Sequence, residues 1–185
     1  MSKILILNGS PRPKGNTSEL IKAFKQGAEE AGHEVTVFNL QRMNIRPCLG
    51  CYKGGKDAQN PCVQKDDMRQ IYLAYAEADI IVLASPMYYW NFSAQLKMAI
   101  DRLLAVDEKE SGEYSHTKKK CVLLMPAAED SEYNFKPVRE LYHSLIEHLG
   151  WISLGEVYAG GVNLVGDIIG HPALKEAYQL ALAIQ

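Results

Sequence analysis

Residues 3–18 read Lys3-Ile4-Leu5-Ile6-Leu7-Asn8-Gly9-Ser10-Pro11-Arg12-Pro13-Lys14-Gly15-Asn16-Thr17-Ser18, and their order decides the fold. The run Lys3 to Leu7 is apolar on both faces, as a central parallel strand requires. Asn8 to Ser18 is a turn rich in Gly, Ser, Asn and Thr that leads into an amphipathic helix over Thr17 to Ala31. In that helix Leu20, Ile21, Phe24 and Ala28 form one stripe, and Lys22, Lys25, Glu29 and Glu30 the other. Asn16 is the expected cap, with Glu19 three residues on, and Gly32 the expected stop. Such a turn leaves backbone N–H groups and hydroxyls at the positive end of a helix dipole, which suits a phosphate or another small anion. A capped helix after a tight turn is the plain alternative for this stretch taken alone.

Outward from this unit the alternation repeats. His33 to Leu40 reads as a second strand, and Gln41 to Lys65 as an irregular segment with two prolines, three glycines and three cysteines. So long a connection tends to be functional or mobile. Asp66-Asp67 opens a helix through Met68, Ile71 and Tyr75 that closes near Glu77. Asp79 to Ala84 is a buried strand, and Ser85 to Phe92 is a second loop at its carboxyl end. Ser93 caps a helix whose Leu96, Ile100, Leu103 and Leu104 are expected to face the core. Glu108 to Thr117 reads as a surface excursion and Lys118-Lys119-Lys120 as a solvated lead-in. Cys121 to Met125 is the fourth strand, and Pro126 to Asn134 a third loop. Val138 to Leu149 outline a helix stopped by Gly150, and Ile152 to Tyr158 a fifth strand. After a Gly-rich turn, Pro172 to Ile184 form a last amphipathic helix. Strands alternating with helices imply a doubly wound parallel sheet. In such sheets ligands bind beyond the carboxyl ends of the strands, where the strand order reverses. The loops starting at Asn8, Ser85 and Pro126 are therefore candidates for one shared site.

With 185 residues, 47% of them apolar, the expectation is one domain over residues 1–185. A net charge of -2 gives no case for nucleic acid or an anionic membrane. No apolar run reaches the roughly 18 residues of a membrane span, and the N-terminus is not of the signal type. The expected location is the cytoplasm, where the four cysteines read as thiols or ligands before structural disulfides. The first loop lacks G-x-G-x-x-G, and the second strand ends without the acidic residue that would hold a ribose hydroxyl, which excludes a Rossmann dinucleotide site. It lacks G-x-x-x-x-G-K-[ST] as well. What remains is a metal-free phosphate site with Ser10, Asn16, Thr17 and Ser18 as donors, and Arg12 pairing with the charge or reaching a second anion.

Gly9 to Leu20, G-S-P-R-P-K-G-N-T-S-E-L, together with Ser85 to Arg102, S-P-M-Y-Y-W-N-F-S-A-Q-L-K-M-A-I-D-R, resembles the NADPH-dependent FMN reductases, and within them an iron–sulfur flavoprotein-like branch. The motifs span much of residues 1–105, while the C-terminal third matches in layout only. The resemblance implies a flavodoxin-like fold: a five-stranded parallel sheet of order 2-1-3-4-5 with helices on both faces. It also implies that Ser10, Arg12, Asn16, Thr17 and Ser18 bind the phosphate and the start of the ribityl chain of FMN. Pro86, Met87, Tyr88, Tyr89, Trp90 and Asn91 would lie along the isoalloxazine, which needs flat apolar contacts and polar partners at one edge. Packing of these aromatics on the sheet edge or on a partner subunit is the alternative. In relatives the third loop brings small residues to the flavin. Here the loop reads Pro126-Ala127-Ala128-Glu129-Asp130, with Ala128 the expected contact, but the two adjacent acids depart from the pattern and would oppose an anionic reduced flavin unless they face solvent.

Cys48, Cys51 and Cys62 stand where relatives carry a compact cysteine cluster before an Asp66-Asp67-Met68 helix start. A four-iron cluster needs four thiolates, and Lys53-Gly54-Gly55-Lys56 stands where another would be expected. Plain loop thiols are the first reading, beside a bound cluster, zinc with an outside ligand, or a redox-active Cys48/Cys51 pair. Cys121 reads as a core residue. His33, His116, His143, His148 and His171 lack metal-ligand spacing, and Asp101-Arg102 reads as a structural pair. No metal ligand and no catalytic acid or base is assigned, because a flavin carries its own chemistry. The expected function is an FMN-dependent NAD(P)H oxidoreductase, a homodimer passing electrons to a small acceptor such as flavin, quinone or a nitro compound. Its rivals are an iron–sulfur flavoprotein working with a protein partner, and a non-enzymatic flavin-binding or sensing module.

Overall fold

The computed structural model describes residues 1–55, 57, 60–107 and 118–185. The expected excursion at 108–117, with His116, and Lys56 of the irregular segment lie outside the described residues. In chain order the elements are β1 (Lys3–Asn8), α1 (Asn16–Glu30), β2 (Glu34–Asn39), α2 (Met68–Glu77), β3 (Ile80–Ala84), α3 (Ala94–Asp107), β4 (Lys120–Pro126), α4 (Glu132–Leu149), β5 (Ile152–Ala159) and α5 (Pro172–Leu182). The strands form one sheet in the order β2-β1-β3-β4-β5, parallel at every pairing. This is the expected flavodoxin-like arrangement. No helix among the described residues is long and apolar enough to cross a membrane.

The burial pattern explains the order. The inner strands β1, β3 and β4 are buried on both faces almost throughout, whereas β2 alternates and β5 is half exposed. Strands of the first kind need helices on both sides. On one face Leu5, Leu7, Ile81, Leu83 and Leu123 pack under Tyr72 and Tyr75 of α2, Leu96 and Leu103 of α3, and Val138 and Tyr142 of α4. On the other, Ile4, Ile6, Val82 and Leu124 pack under Leu20 and Phe24 of α1 and Ala173, Ala177 and Ala181 of α5. Cys121 lies in the first core, where burial pushes its thiol up to about 12.

Several expectations are corrected by packing. Gly15, not Asn16, occupies the N-cap of α1 and makes no side-chain cap bond; Asn16 is already in the first turn and buried. The helix α4 starts at Glu132, earlier than its apolar periodicity, because Ser131 caps it by accepting from the Asn134 amide. Leu104 is 38% exposed, and the core stripe of α3 runs instead through Leu96, Ala99 and Leu103. Lys119 is buried, not solvated: its ammonium donates to the Ala78 carbonyl and stands 5.1 Å from the Tyr75 ring centroid.

Asp101 and Arg102 do not pair with each other. Asp101 pairs with Lys97 on the surface, while Arg102 is buried and reaches back to Asp66 ahead of α2. Its Nη1 donates to Asp66 Oδ2 and to the Arg46 carbonyl, both at 2.8 Å, and its Nη2 to Asp66 Oδ1 at 3.1 Å. Asp66 also accepts from the Arg46 and Met68 amides. Burial pushes this carboxyl's pKa up, but the hydrogen bonds and charge of Arg102, with those two amides, outweigh it and hold the pKa below the usual range. A depressed folded-state pKa means that the stabilisation is complete above the unfolded carboxyl value and is lost as pH falls through the folded one. Asp66→Asn is expected to cost about 3–5 kcal/mol at pH 7 by leaving Arg102 buried and uncompensated. In urea titrations the deficit relative to wild type should narrow below about pH 4; a deficit that is constant down to pH 2 would contradict the assignment.

Candidate functional site

Strands β1, β3, β4 and β5 all end on one edge, and their main-chain hydrogen bonding continues past the strands. Gly9 N–H donates to Ala84 O (2.8 Å), Ser85 N–H to Leu124 O (3.1 Å), Met87 N–H to Pro126 O (3.0 Å) and Ala127 N–H to Ala159 O (2.8 Å). The loops that follow are thus held in register. Between them lies a cleft of about 590 Å³ including its open mouth, lined from the first loop by Ser10, Arg12, Gly15, Asn16 and Thr17. Pro86, Met87 and Tyr88 line it from the second loop, Pro126, Ala127 and Ala128 from the third, and Val162 and Asn163 from the segment after β5.

One wall is polar. The amides of Ser18 and Glu19 both donate to Gly15 O, so those of Asn16 and Thr17 precede the first bond of α1, at the positive end of its dipole. Ser10 is folded into the loop: its amide donates to Asn8 Oδ1 at 3.0 Å and its Oγ accepts from the Arg12 amide at 3.2 Å. Arg12 Nη1 donates to Asn163 O at 2.8 Å, and Asn16 Nδ2 donates to Leu164 O at 3.0 Å. Asn16 Oδ1 is buried with no partner among the described residues. The opposite wall is apolar, from Pro86, Met87 and the two alanines.

Not every expected residue reaches the cleft. Ser18 does not line it; its hydroxyl donates to Arg12 O at 3.4 Å and so braces the loop. Tyr88 and Asn91 exchange main-chain hydrogen bonds, and the residues between them, Tyr89 and Trp90, have φ of 49° and 56°. Positive φ at both central positions is the pattern of a primed hairpin turn, and it is costly for aromatic residues. The turn carries Tyr89 outward, 94% exposed, and swings Trp90 so that its Nε1 donates to Asn134 Oδ1 at 3.1 Å. Asn91 Oδ1 accepts from the Phe92 amide. Tyr89, Trp90 and Asn91 therefore form the rim, not the lining. Glu129 and Asp130 are exposed, which meets the condition under which those acids do not oppose negative charge in the cleft.

Gly15, Pro126, Ala127, Val162 and Asn163 were missed as lining residues. The segment after β5 leaves a carboxyl end like the other three, so the same topological rule points to it, whereas its Gly160-Gly161 signals only a turn. No histidine among the described residues lines the cleft. His33 accepts from the Ser2 amide, His143 meets Glu156, and His171 caps α5. Cys48, Cys51 and Cys62 line a separate cavity of about 490 Å³ with Asp101, Arg102 and Leu104, and Cys48 Sγ accepts from the Gly50 amide at 3.4 Å. Among the described residues no group of three or more His, Cys, Asp or Glu side chains is placed to hold a metal ion.

A family model described as NADPH-dependent FMN reductase matches residues 2–163. A protein named iron-sulfur flavoprotein from Archaeoglobus fulgidus is 32% identical over 178 residues, covering 95% of this chain and 76% of that protein. Another of that name from Methanocaldococcus jannaschii is 38% identical over 100 residues, covering 54% of this chain and 51% of its own length. Among solved structures, an NAD(P)H:quinone oxidoreductase from Methanothermobacter marburgensis matches with a TM-score of 0.79 at 22% identity, over 100% of this chain and 99% of that one. At that identity the match speaks for the fold.

The first and second loops meet at Gly9, whose carbonyl accepts from Ser93 Oγ at 2.7 Å. A Cβ on Gly9 would lie 2.6 Å from that oxygen and 2.7 Å from Leu96 Cβ. Gly9→Ala is therefore expected to cost about 1–3 kcal/mol of stability, as overpacking does. Thermal unfolding checks this, and an unshifted midpoint would show that the two loops are not held in contact.

Proposed function

The chain belongs to the NADPH-dependent FMN reductase family, whose members are FMN-dependent oxidoreductases, and from that premise we propose that it is an NAD(P)H-dependent FMN oxidoreductase serving a small acceptor. The observation that carries the reading is the two-sided cleft at the carboxyl ends of the strands. Its polar wall suits the phosphate and ribityl end of FMN. The amides of Asn16 and Thr17, the Thr17 hydroxyl, Ser10 and Arg12 would hold the anion at the start of α1. The buried, unpartnered Asn16 Oδ1 fits a hydroxyl donor such as the ribityl chain carries. Pro86, Met87, Tyr88 and Ala128 would flank the rings. Bound there, FMN supplies the two-electron chemistry between a nicotinamide donor and the acceptor, and the protein supplies position and surroundings.

The protein's own contribution is to keep one side of the cleft apolar and to leave an open rim for the acceptor, with Tyr89 and Trp90 as flat platforms beside the mouth. Solvent-facing Glu129 and Asp130 spare the cleft a repulsive field, since exposed charges are screened. One continuous sheet supports treating residues 1–185 as a single domain. The exposed apolar Leu49, Tyr52 and Val63 support a homodimer in which the 41–65 segment meets the partner.

A second reading, an iron–sulfur flavoprotein passing electrons to a protein partner, draws on the names of the relatives and on three thiols around one cavity. The donor set does not fit a four-iron cluster, which takes four thiolates.

Asn16→Asp places a carboxylate beside the phosphate site and should weaken FMN binding by about tenfold or more, a charge interaction of roughly 1.4 kcal/mol or greater. Riboflavin, which lacks the phosphate, should lose less. Equal losses for the two ligands, or none for FMN, would show that the phosphate lies elsewhere. Cys48→Ser with Cys51→Ser is expected to leave the flavin spectrum of anaerobically purified protein intact. Stoichiometric iron and labile sulfide in the unaltered protein would overturn the first reading in favour of the second.

A further inference from the structure

The segment after β5 does more than cover one end of the cleft. It is pinned at its start by Val162, whose amide donates to Ala127 O at 2.9 Å, and at its end by the fully buried Ile168. Between these anchors a single carboxylate oxygen organises the chain: Asp167 Oδ2 accepts from the Asn163 amide at 2.9 Å and from the Leu164 amide at 2.6 Å. The carbonyls of those same two residues accept from Arg12 Nη1 and Asn16 Nδ2. One side chain thus holds the amides of two consecutive residues, and the carbonyls of those residues receive two side chains of the polar wall.

We propose that Asp167 is a positioning residue for the FMN phosphate loop, holding Arg12 and Asn16 in their binding orientation through the main chain of Asn163 and Leu164. The inference rests on the reading of the cleft as an FMN site. With Asn16 Nδ2 committed to Leu164 O, the amide orientation is set and its Oδ1 is the atom left for the ligand. Arg12 keeps four further N–H donors after the bond to Asn163 O, since a guanidinium carries five. Neither side chain then has to be ordered when the ligand arrives.

Charge and positioning make opposite forecasts for this residue. Asp167 is an anion on the segment whose Val162 and Asn163 line the cleft, so by charge alone its removal should tighten FMN binding. By positioning, its removal should weaken binding. Asp167→Ala removes both charge and acceptor. Asp167→Asn removes the charge but keeps an oxygen that can accept from both amides.

The test is FMN affinity, read by quenching of flavin fluorescence on apoprotein of the three forms at one ionic strength. Asp167→Ala should bind about tenfold more weakly, the order expected when two side chains must be ordered on binding, and Asp167→Asn should bind no more weakly than wild type. Equal or tighter binding by Asp167→Ala, or an equal loss in both variants, overturns the proposal. Amide hydrogen exchange of the FMN-free proteins gives a readout that does not need the ligand. In Asp167→Ala, exchange should quicken in residues 9–20 as well as in 160–170, and quickening confined to 160–170 overturns the proposal. If wild type takes up no FMN, the reading of the cleft fails on that result, and hydrogen exchange then decides by itself whether Asp167 positions the first loop.

Discussion

Gly9 is the point at which two halves of the cleft are joined. Its amide donates to Ala84 O, continuing the β1–β3 ladder, and its carbonyl accepts from Ser93 Oγ, which also accepts from the Leu96 amide at the start of α3. A residue without a Cβ is required there because Ser93 and Leu96 lie in van der Waals contact with the backbone. The polar first loop and the apolar second loop therefore cannot move independently. The ladder bonds from Ser85, Met87 and Ala127 extend the same restraint across the edge to the third loop and to β5. A site assembled from four loops is in this way as rigid at its base as the sheet that carries it.

A second restraint acts behind the cleft. Arg102 of α3 and Asp66 before α2 are both buried, and the pair ties the two helices to the main chain at Arg46. Asn44 is tied to Asp67 nearby, its amide donating to Asp67 Oδ2 and its carbonyl accepting from the Asp67 amide. The long segment between β2 and α2 thus begins and ends at one fixed place, with the cysteines in the part that projects from it. Burying two ions is costly, so such a pair adds little net stability over an apolar packing of similar volume. Its effect here is to locate a loop that has little apolar core of its own.

The chemistry of the cleft is a division of labour between its two walls. The polar wall is built from a helix start, a hydroxyl, a guanidinium and an amide; the other wall from proline, methionine and alanine side chains. The strained turn Tyr88–Asn91 separates this lining from the rim, because positive φ at Tyr89 and Trp90 points both rings away from the pocket floor. Asn134 joins the rim to the third loop by accepting from Trp90 Nε1 and donating to Glu129 O.

The sequence by itself determined the strands, the helices and their parallel stacking, because two-sided apolar runs such as Ile80–Ala84 have no other stable placement. It determined as well that the first, second and third loops would share an edge, since that follows from topology. Most residues named for the site, from Ser10 to Thr17 and from Pro86 to Tyr88, line the cleft for that reason. Tertiary structure decided what periodicity and motif do not encode. Leu104 is exposed, Lys119 is buried against Ala78 O and Tyr75, and Arg102 pairs with Asp66, 36 positions away, not with its neighbour. Tyr89 and Trp90 face outward because a local turn, not residue type, aims them. The part of Asn163, Leu164 and Asp167 depends on how the last loop lies against the first, and it is played largely by main-chain carbonyls and amides, which every residue possesses and no motif marks.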